Sequence, residues 1–238
     1  MSCRAAATAA PVHVLPNATM SKHTFNLIVF DWDGTLMDST AAIVKSLQDA
    51  ALDLGLPMPG RQEASHVIGL GLREALETVL PDLPAQYYPE LVARYRIHFL
   101  ENSRKTMLFD GVKAMLDDLK RQGHLLAVAT GKSRAGLNHA FAETGLQDIF
   151  DASRTADETW SKPHPAMLLE LTEQLGEPVS GTVMVGDTTH DLQMALNAGA
   201  AGVAVQYGAH PVEELKRLNP LYTAESVADL HRWLNRHA

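Results

Sequence analysis

The sequence predicts an α/β fold: a doubly wound parallel sheet with a helical domain inserted after its first strand. Three observations carry this. From Phe25 onward, short apolar runs alternate with amphipathic helical stretches. Each run has the near-continuous hydrophobicity of a strand buried on both faces. The first two runs are separated by a long segment with no strand-like pattern at all.

"NLIVFD", residues 26–31, reads as the first buried strand, and Ser39 to Leu54 as the helix after it. Residues 39–106 then hold only helical patterns, such as "AAIVKSLQDAALDLG", "ASHVIGLGLREALETVL" and "YYPELVARYRIHFLEN". That length exceeds what one crossover between parallel strands needs. The division expected is therefore a core of residues 23–38 and 107–238 with a helical domain over 39–106. "RKTMLFDGVKAMLDDLKRQG" returns the chain to the core, with Gly111 opening its helix and Gly123 closing it.

"HLLAVATG" reads as a second strand, followed by a helix from Ser133 to Thr144. "FDASRTAD" supplies another short strand, with "PAMLLELTEQLG" as its helix. "TVMVGD" leads into a helix from Thr189 to Ala198, and "GVAVQYG" into one from Pro211 to Leu218. Right-handed crossovers between parallel strands put such helices on both faces of the sheet.

Composition narrows the function. The formal net charge of −8, with no long Lys/Arg cluster, argues against nucleic acid or an anionic membrane as partner. With 46% hydrophobic residues a sizeable core can form, yet no apolar run reaches the roughly 20 residues of a membrane-spanning helix. The single cysteine, Cys3, allows no internal disulfide, so the cytoplasm is the expected compartment. Residues 1–22 are Ala-rich, lack acids and are broken by Pro11 and Pro16, which reads as a poorly ordered tail rather than a targeting signal. Met20, just before the first strand, is an alternative start. A small-molecule substrate fits this balance, on a monomer or homodimer.

In an open parallel sheet, reactive groups gather at the carboxyl ends of the strands. Here those positions offer Asp31 and Asp33, then Thr130, then Lys162, then Asp187 and Asp191. Two carboxylates as close as Asp31 and Asp33 repel unless a cation or shared proton stands between them. A turn at Asp33-Gly34 accounts for one acid but not for both. Mg²⁺, which prefers oxygen ligands, relieves the repulsion. Asp31 can then attack phosphorus to form an aspartyl-phosphate, with Asp33 as the acid that protonates the departing alkoxide and the base that activates water. The Thr130 hydroxyl and the Gly131 N–H face the phosphoryl oxygens, and Lys162 neutralises their charge. Asp187 completes the metal site. Asp191 has three roles open to it: metal ligand, orienter of Lys162, or helix cap.

The pattern Asp31-x-Asp33-Gly34-Thr35-Leu36, a strand ending in Thr130, Lys162 before a helix, and Gly186-Asp187-x-x-x-Asp191 resembles the haloacid dehalogenase superfamily. The resemblance implies a Rossmann-like core with a mobile cap and a Mg²⁺-dependent mechanism through Asp31. It also implies a metal held by Asp31, the backbone carbonyl of Asp33, and Asp187. The helical insert is similar to the first cap class of that superfamily. Within it the chain looks most like the phosphoglycolate phosphatase group, through "FDWDGTLMDS", "KPHPAML" and "GDTTHDLQMALNAG". Trp32 stands where a Leu is more usual, and its side chain is expected to point away from both carboxylates. The acid at position 33 favours a phosphatase or a phosphomutase over a dehalogenase, whose halide leaving group needs no proton.

The expected substrate is a small phosphorylated metabolite, 2-phosphoglycolate among the candidates. A sugar phosphomutase and a receiver-like phospho-accepting module are the alternatives, the second opposed by Asp33 and by the insert. "IGLGLREAL" reads either as a plain helix–loop–helix turn or, by family analogy, as a loop that reads the leaving group. In the second case Arg73 is a candidate for an anionic substrate's carboxylate, ahead of Arg94, Arg96 and Lys45. His164 and His190 neighbour the motif residues but suit a hard cation poorly, and the other histidines are scattered along the sequence.

Overall fold

The computed structural model describes residues 25–238, so the reading of residues 1–22 as a tail, and of Met20 as a start, lies outside the described residues. Six parallel strands form one sheet in the order β3-β2-β1-β4-β5-β6. They are β1 (Leu27–Phe30), β2 (Leu125–Thr130), β3 (Ala152–Thr155), β4 (Thr182–Gly186), β5 (Ala201–Val205) and β6 (Tyr222–Ala224). Between β1 and β2 the chain forms α1 (Thr40–Asp53), α2 (Arg61–His66), α3 (Leu72–Val79), α4 (Tyr88–Asn102) and α5 (Val112–Arg121). α6 (Arg134–Thr144), α7 (Ala166–Leu175), α8 (Thr189–Ala198), α9 (Val212–Lys216) and α10 (Val227–His237) follow β2, β3, β4, β5 and β6 respectively.

Strand alternation sorts the core into two layers. Ile28, Phe30, Leu126, Val128, Val183 and Val185 face the side covered by Met115, Leu119, Leu137, Leu230 and Leu234 of α5, α6 and α10. Leu27, Val29, Ala127, Ala129 and Met184 face Met167, Leu168, Leu171 and Met194 of α7 and α8. Full burial of each large side chain contributes about 1.5–3 kcal/mol, which makes the sheet a stiff platform for what its ends carry. Trp32 belongs to the first layer, fully buried, with its ring edge-on to Phe141 at 5.3 Å between centroids. That places it in the core, on the side predicted by strand alternation.

β6 and α10 lie beyond the elements expected from the sequence, the last of which ends at Leu218. A three-residue strand after Asn219-Pro220 leaves no apolar run to detect. α10 did carry a signal, since Val227, Leu230 and Leu234 fall at helical spacing and Ser226 accepts the Asp229 N–H at 3.2 Å as its cap.

The helical insert has a core of its own, in which Val44, Leu47, Leu76 and Leu91 pack together. Its two connections to the sheet run side by side: the Asp38 N–H donates to Met107 O at 2.9 Å, and the Phe109 N–H to Leu36 O at 3.0 Å. Two adjacent single strands are a narrow attachment for such a body.

Candidate active site

The strand order reverses beside β1, and β1 lies between β2 and β4. Their carboxyl ends therefore share one crevice, and the chain delivers its acids there. Asp31 directly follows β1 and is anchored by its N–H to Val185 O at 2.9 Å. Gly34 then turns the chain with φ +81°, and a Cβ at that position would lie 2.2 Å from Asp187 Oδ2. Only glycine lets the loop after β1 close onto the carboxylate after β4.

Lys162 Nζ lies 2.7 Å from Asp31 Oδ1 and 2.7 Å from Asp191 Oδ1, with all three side chains buried. The ammonium is thus shared between two buried carboxylates. Burial alone would depress the lysine, and the charges of Asp191 and Asp31 more than reverse that, holding it above the ordinary lysine range. Asp31 goes the other way: burial raises it well above the usual carboxylate value, Lys162 offsets part of this, and Asp191 and Asp187 push it further up. Its second oxygen, Oδ2, has no hydrogen-bond partner.

Asp191 caps α8 in a reciprocal arrangement. Its Oδ2 accepts from the Thr188 N–H at 3.0 Å and the Thr188 hydroxyl at 2.7 Å, while its own N–H reaches Thr188 Oγ1 at 3.3 Å. Of the three roles open to this residue, its bonds carry the cap and the orientation of Lys162.

Asp187 accepts one bond on each oxygen, from the Thr35 hydroxyl at 2.7 Å and the Ala209 N–H at 2.7 Å. Burial and the charge of Asp191 raise it to about 7, against the pull of those two donors. One oxygen from each of Asp31, Asp187 and Asp191 falls within 4.8 Å of the others. Three buried carboxylates, two of them on Lys162, with Asp31 Oδ2 unpartnered, form a donor set of hard oxygens that fits a Mg²⁺ ion.

Asp33 stands at the edge of this cluster with both oxygens engaged. The Ser39 hydroxyl donates to Oδ1 at 2.6 Å and Lys132 Nζ stands 3.0 Å from Oδ2. Thr130, at the end of β2, is buried and accepts the Lys132 N–H at 3.2 Å. The structure thus brings Asp31, Asp33, Thr130, Lys162, Asp187 and Asp191 to one end of the sheet.

Comparison with known proteins assigns the family. The family model for haloacid dehalogenase-like hydrolases matches residues 28–205. The chain belongs to the haloacid dehalogenase-like hydrolases. A protein of Dickeya dadantii named a probable phosphatase, IndB, is 37% identical over 86% of this chain and 91% of its own length. A phosphoglycolate phosphatase of Aliivibrio fischeri is 30% identical over 87% of this chain and 94% of its own. Among solved structures, one described as a predicted phosphoglycolate phosphatase from Haemophilus somnus superposes with a TM-score of 0.78 at 27% identity, over 90% of this chain and 99% of that one. This hydrolase is an enzyme of the family's phosphatase kind, and none of its described helices is long and apolar enough to cross a membrane.

Other residues singled out in the sequence fall differently in this haloacid dehalogenase-like hydrolase. The loop "IGLG" does reach the site: a Cβ on Gly131 would lie 2.3 Å from Leu70 O and 2.7 Å from Gly69 O. Arg73 is not brought into the cluster. Its side chain is 77% exposed and its Nε donates to Glu77 Oε1 at 2.7 Å, one turn along α3. Lys45 and Arg94 are likewise turned to surface acids, Asp49 and Asp53, and Arg96 is exposed.

His190, a neighbour of the motif residues, meets two of the scattered histidines, His66 and His210, at the junction of insert and core. The rings of His66 and His210 stack at 4.5 Å, and His190 stands edge-on to His210 at 5.2 Å. His190 Nε2 and His210 Nε2 both direct a proton to the His66 carbonyl, at 2.9 and 3.1 Å, while His210 Nδ1 accepts the Thr189 N–H at 3.1 Å. His66, His210 and Glu214 have the composition of a metal site. With both His210 nitrogens spoken for, these bonds make a junction rather than a ligand set.

Lys132, Ser39 and Thr35 are the site residues missed in the sequence. Lys132 had a signal, as a cation one residue past Thr130-Gly131 at a strand end. Thr35 stands in the quoted motif without a role there, and Ser39 had no signal beyond its nearness to Asp33.

Proposed function

We propose that the chain is a Mg²⁺-dependent phosphatase that hydrolyses a small phosphomonoester through an aspartyl-phosphate on Asp31, with 2-phosphoglycolate a leading candidate. The observation that carries this reading is Asp31 itself: a sealed carboxylate with one oxygen on Lys162 and the other without a partner. A group so costly to bury is explained if it is held for attack.

Asp31 Oδ2 attacks the phosphorus in line with the ester oxygen. Lys162 draws the phosphoryl oxygens in and offsets their charge, and the Thr130 hydroxyl and Gly131 N–H orient them. Asp33 gives a proton to the departing alkoxide, then takes one from the water that opens the aspartyl-phosphate. Asp31, Asp187 and the Asp33 carbonyl are the groups that would hold Mg²⁺, whose charge, when bound, offsets the carboxylates and the phosphoryl group. Asp191 acts by fixing Lys162. The insert serves as a cap, seated on Gly131 through Gly69 and Leu70, that excludes bulk water while the ester is bound.

The reading is tested on a panel of phosphate esters with Mg²⁺, for wild type and Asp31→Asn, following both inorganic phosphate and isomerised product. Phosphate release by the wild type with loss of about 10³-fold or more in the variant is expected. Activity unchanged by Asp31→Asn would remove the nucleophile assignment. An isomer in place of phosphate would make the enzyme a mutase.

A further inference from the structure

We infer that Lys132 selects the substrate, by receiving a negatively charged group on the leaving half of the ester; the inference rests on the phosphatase reading above. The group is a carboxylate or a second phosphoryl group within reach of Asp33.

The backbone of Lys132 is pinned at both ends. Its N–H reaches Thr130 Oγ1 at 3.2 Å, and its carbonyl accepts the Ala156 N–H at 3.0 Å. The side chain spans the seam between core and cap, 12% exposed, with Nζ 3.0 Å from Asp33 Oδ2 and 4.7 Å from the centroid of the Phe99 ring on α4. Phe99 stacks on Tyr95 at 5.7 Å. The Tyr95 phenol is pushed upward chiefly by its burial, with a smaller contribution from the charge of Asp33. Beside Asp33 there is therefore one ammonium, backed by the Phe99 ring with Tyr95 stacked on it.

Charge matching singles out this ammonium. Lys162 already faces two carboxylates, and Arg73 is turned away onto Glu77. Lys132 has one carboxylate, and that carboxylate must serve the departing oxygen. With Ser39 on Oδ1 and Lys132 on Oδ2, Asp33 has neither oxygen directed at a substrate. An anionic leaving group offers Lys132 a second partner of equal strength and frees Oδ2 for the proton transfer. A neutral leaving group offers none, and leaving the ammonium without a partner in this half-buried seam is costly. The ring of Phe99 keeps the ammonium in place during the exchange.

The test is steady-state kinetics with Mg²⁺ on 2-phosphoglycolate, pyrophosphate and phenyl phosphate, for wild type, Lys132→Gln and Lys132→Arg. In Lys132→Gln, the kcat/KM ratio of an anionic substrate to phenyl phosphate should fall about tenfold or more, chiefly through KM, with partial recovery in Lys132→Arg. The substrate whose ratio falls further identifies the group as carboxylate or phosphoryl. An equal loss on all three would show that Lys132 only positions Asp33, and would overturn the inference. So would a wild type that turns over phenyl phosphate and neither anionic substrate, with the phosphatase reading left standing. Absence of turnover on every substrate removes both.

Discussion

Lys162 Nζ lies 2.7 Å from Asp191 Oδ1, and neither side chain is open to solvent. The same aspartate ties down the first turn of α8 through Thr188. One carboxylate thus links a charge at the reaction centre to the helix after β4. Asp191→Ala leaves a buried ammonium with a single partner and a helix end uncapped, and should cost about 3–5 kcal/mol. Asp191→Asn keeps an acceptor and should cost less. Urea unfolding at constant slope reads both, and an Ala variant with an unshifted midpoint would refute the account.

Asp187, raised to about 7, predicts how Mg²⁺ and protons compete. Its folded value exceeds the unfolded 3.8, so between these limits the folded protein holds more protons and loses stability as pH rises. A Mg²⁺ ion held at Asp187 would take the place of the proton, and its stabilisation should therefore grow with pH. Melting with and without Mg²⁺ should show a gain at pH 8 that exceeds the gain at pH 5 by at least a few degrees. Equal gains at the two pH values would argue against metal binding by these acids.

His210 contributes the opposite slope. Burial, with His190 and His66 alongside, lowers it to about 4. A depressed histidine supports the fold fully above its unfolded value of 6.5, and that support is lost as pH falls toward 4. The full difference amounts to about 3 kcal/mol. His210→Gln retains an acceptor for the Thr189 N–H but cannot titrate, so its stability should change less than that of wild type between pH 7 and pH 4.5. Parallel pH curves for the two proteins would remove His210 as the cause.

Much of this site was legible because strands announce their own ends. Asp31, Thr130 and Asp187 each stop an apolar run, and a parallel sheet can only bring such ends together. What the sequence hid depends on side-chain reach and helix phase. Arg73 is a candidate for the substrate in only one of the two readings of its loop, and at that phase of α3 Glu77 lies one turn on and claims it. Lys132 gains its meaning from Asp33 and from Phe99 on a distant helix, neither of which its own neighbours reveal. His66 meets His190 and His210 only because the insert folds back across 124 and 144 positions. β6 was missed because three residues are too few to show a period.

Gly131 gives a test of the cap that leaves the chemistry's side chains in place. In Gly131→Ala the new methyl would meet two carbonyl oxygens of the insert, at 2.3 and 2.7 Å, and backbone cannot rotate aside as a side chain can. The backbone of Gly131 has no positive φ, so alanine costs little within the core itself. The insert must instead back away as a body, about the paired segments at Asp38 and Met107. Stability should stay within about 1 kcal/mol. Activity should fall about 10²-fold, because the ester is then held in a site that water can enter and whose groups are displaced. Hydrogen exchange should also quicken at residues 66–71, where the seated loop is protected in the closed form. Wild-type activity with unaltered exchange would mean that the contact of Leu70 with Gly131 is incidental to catalysis.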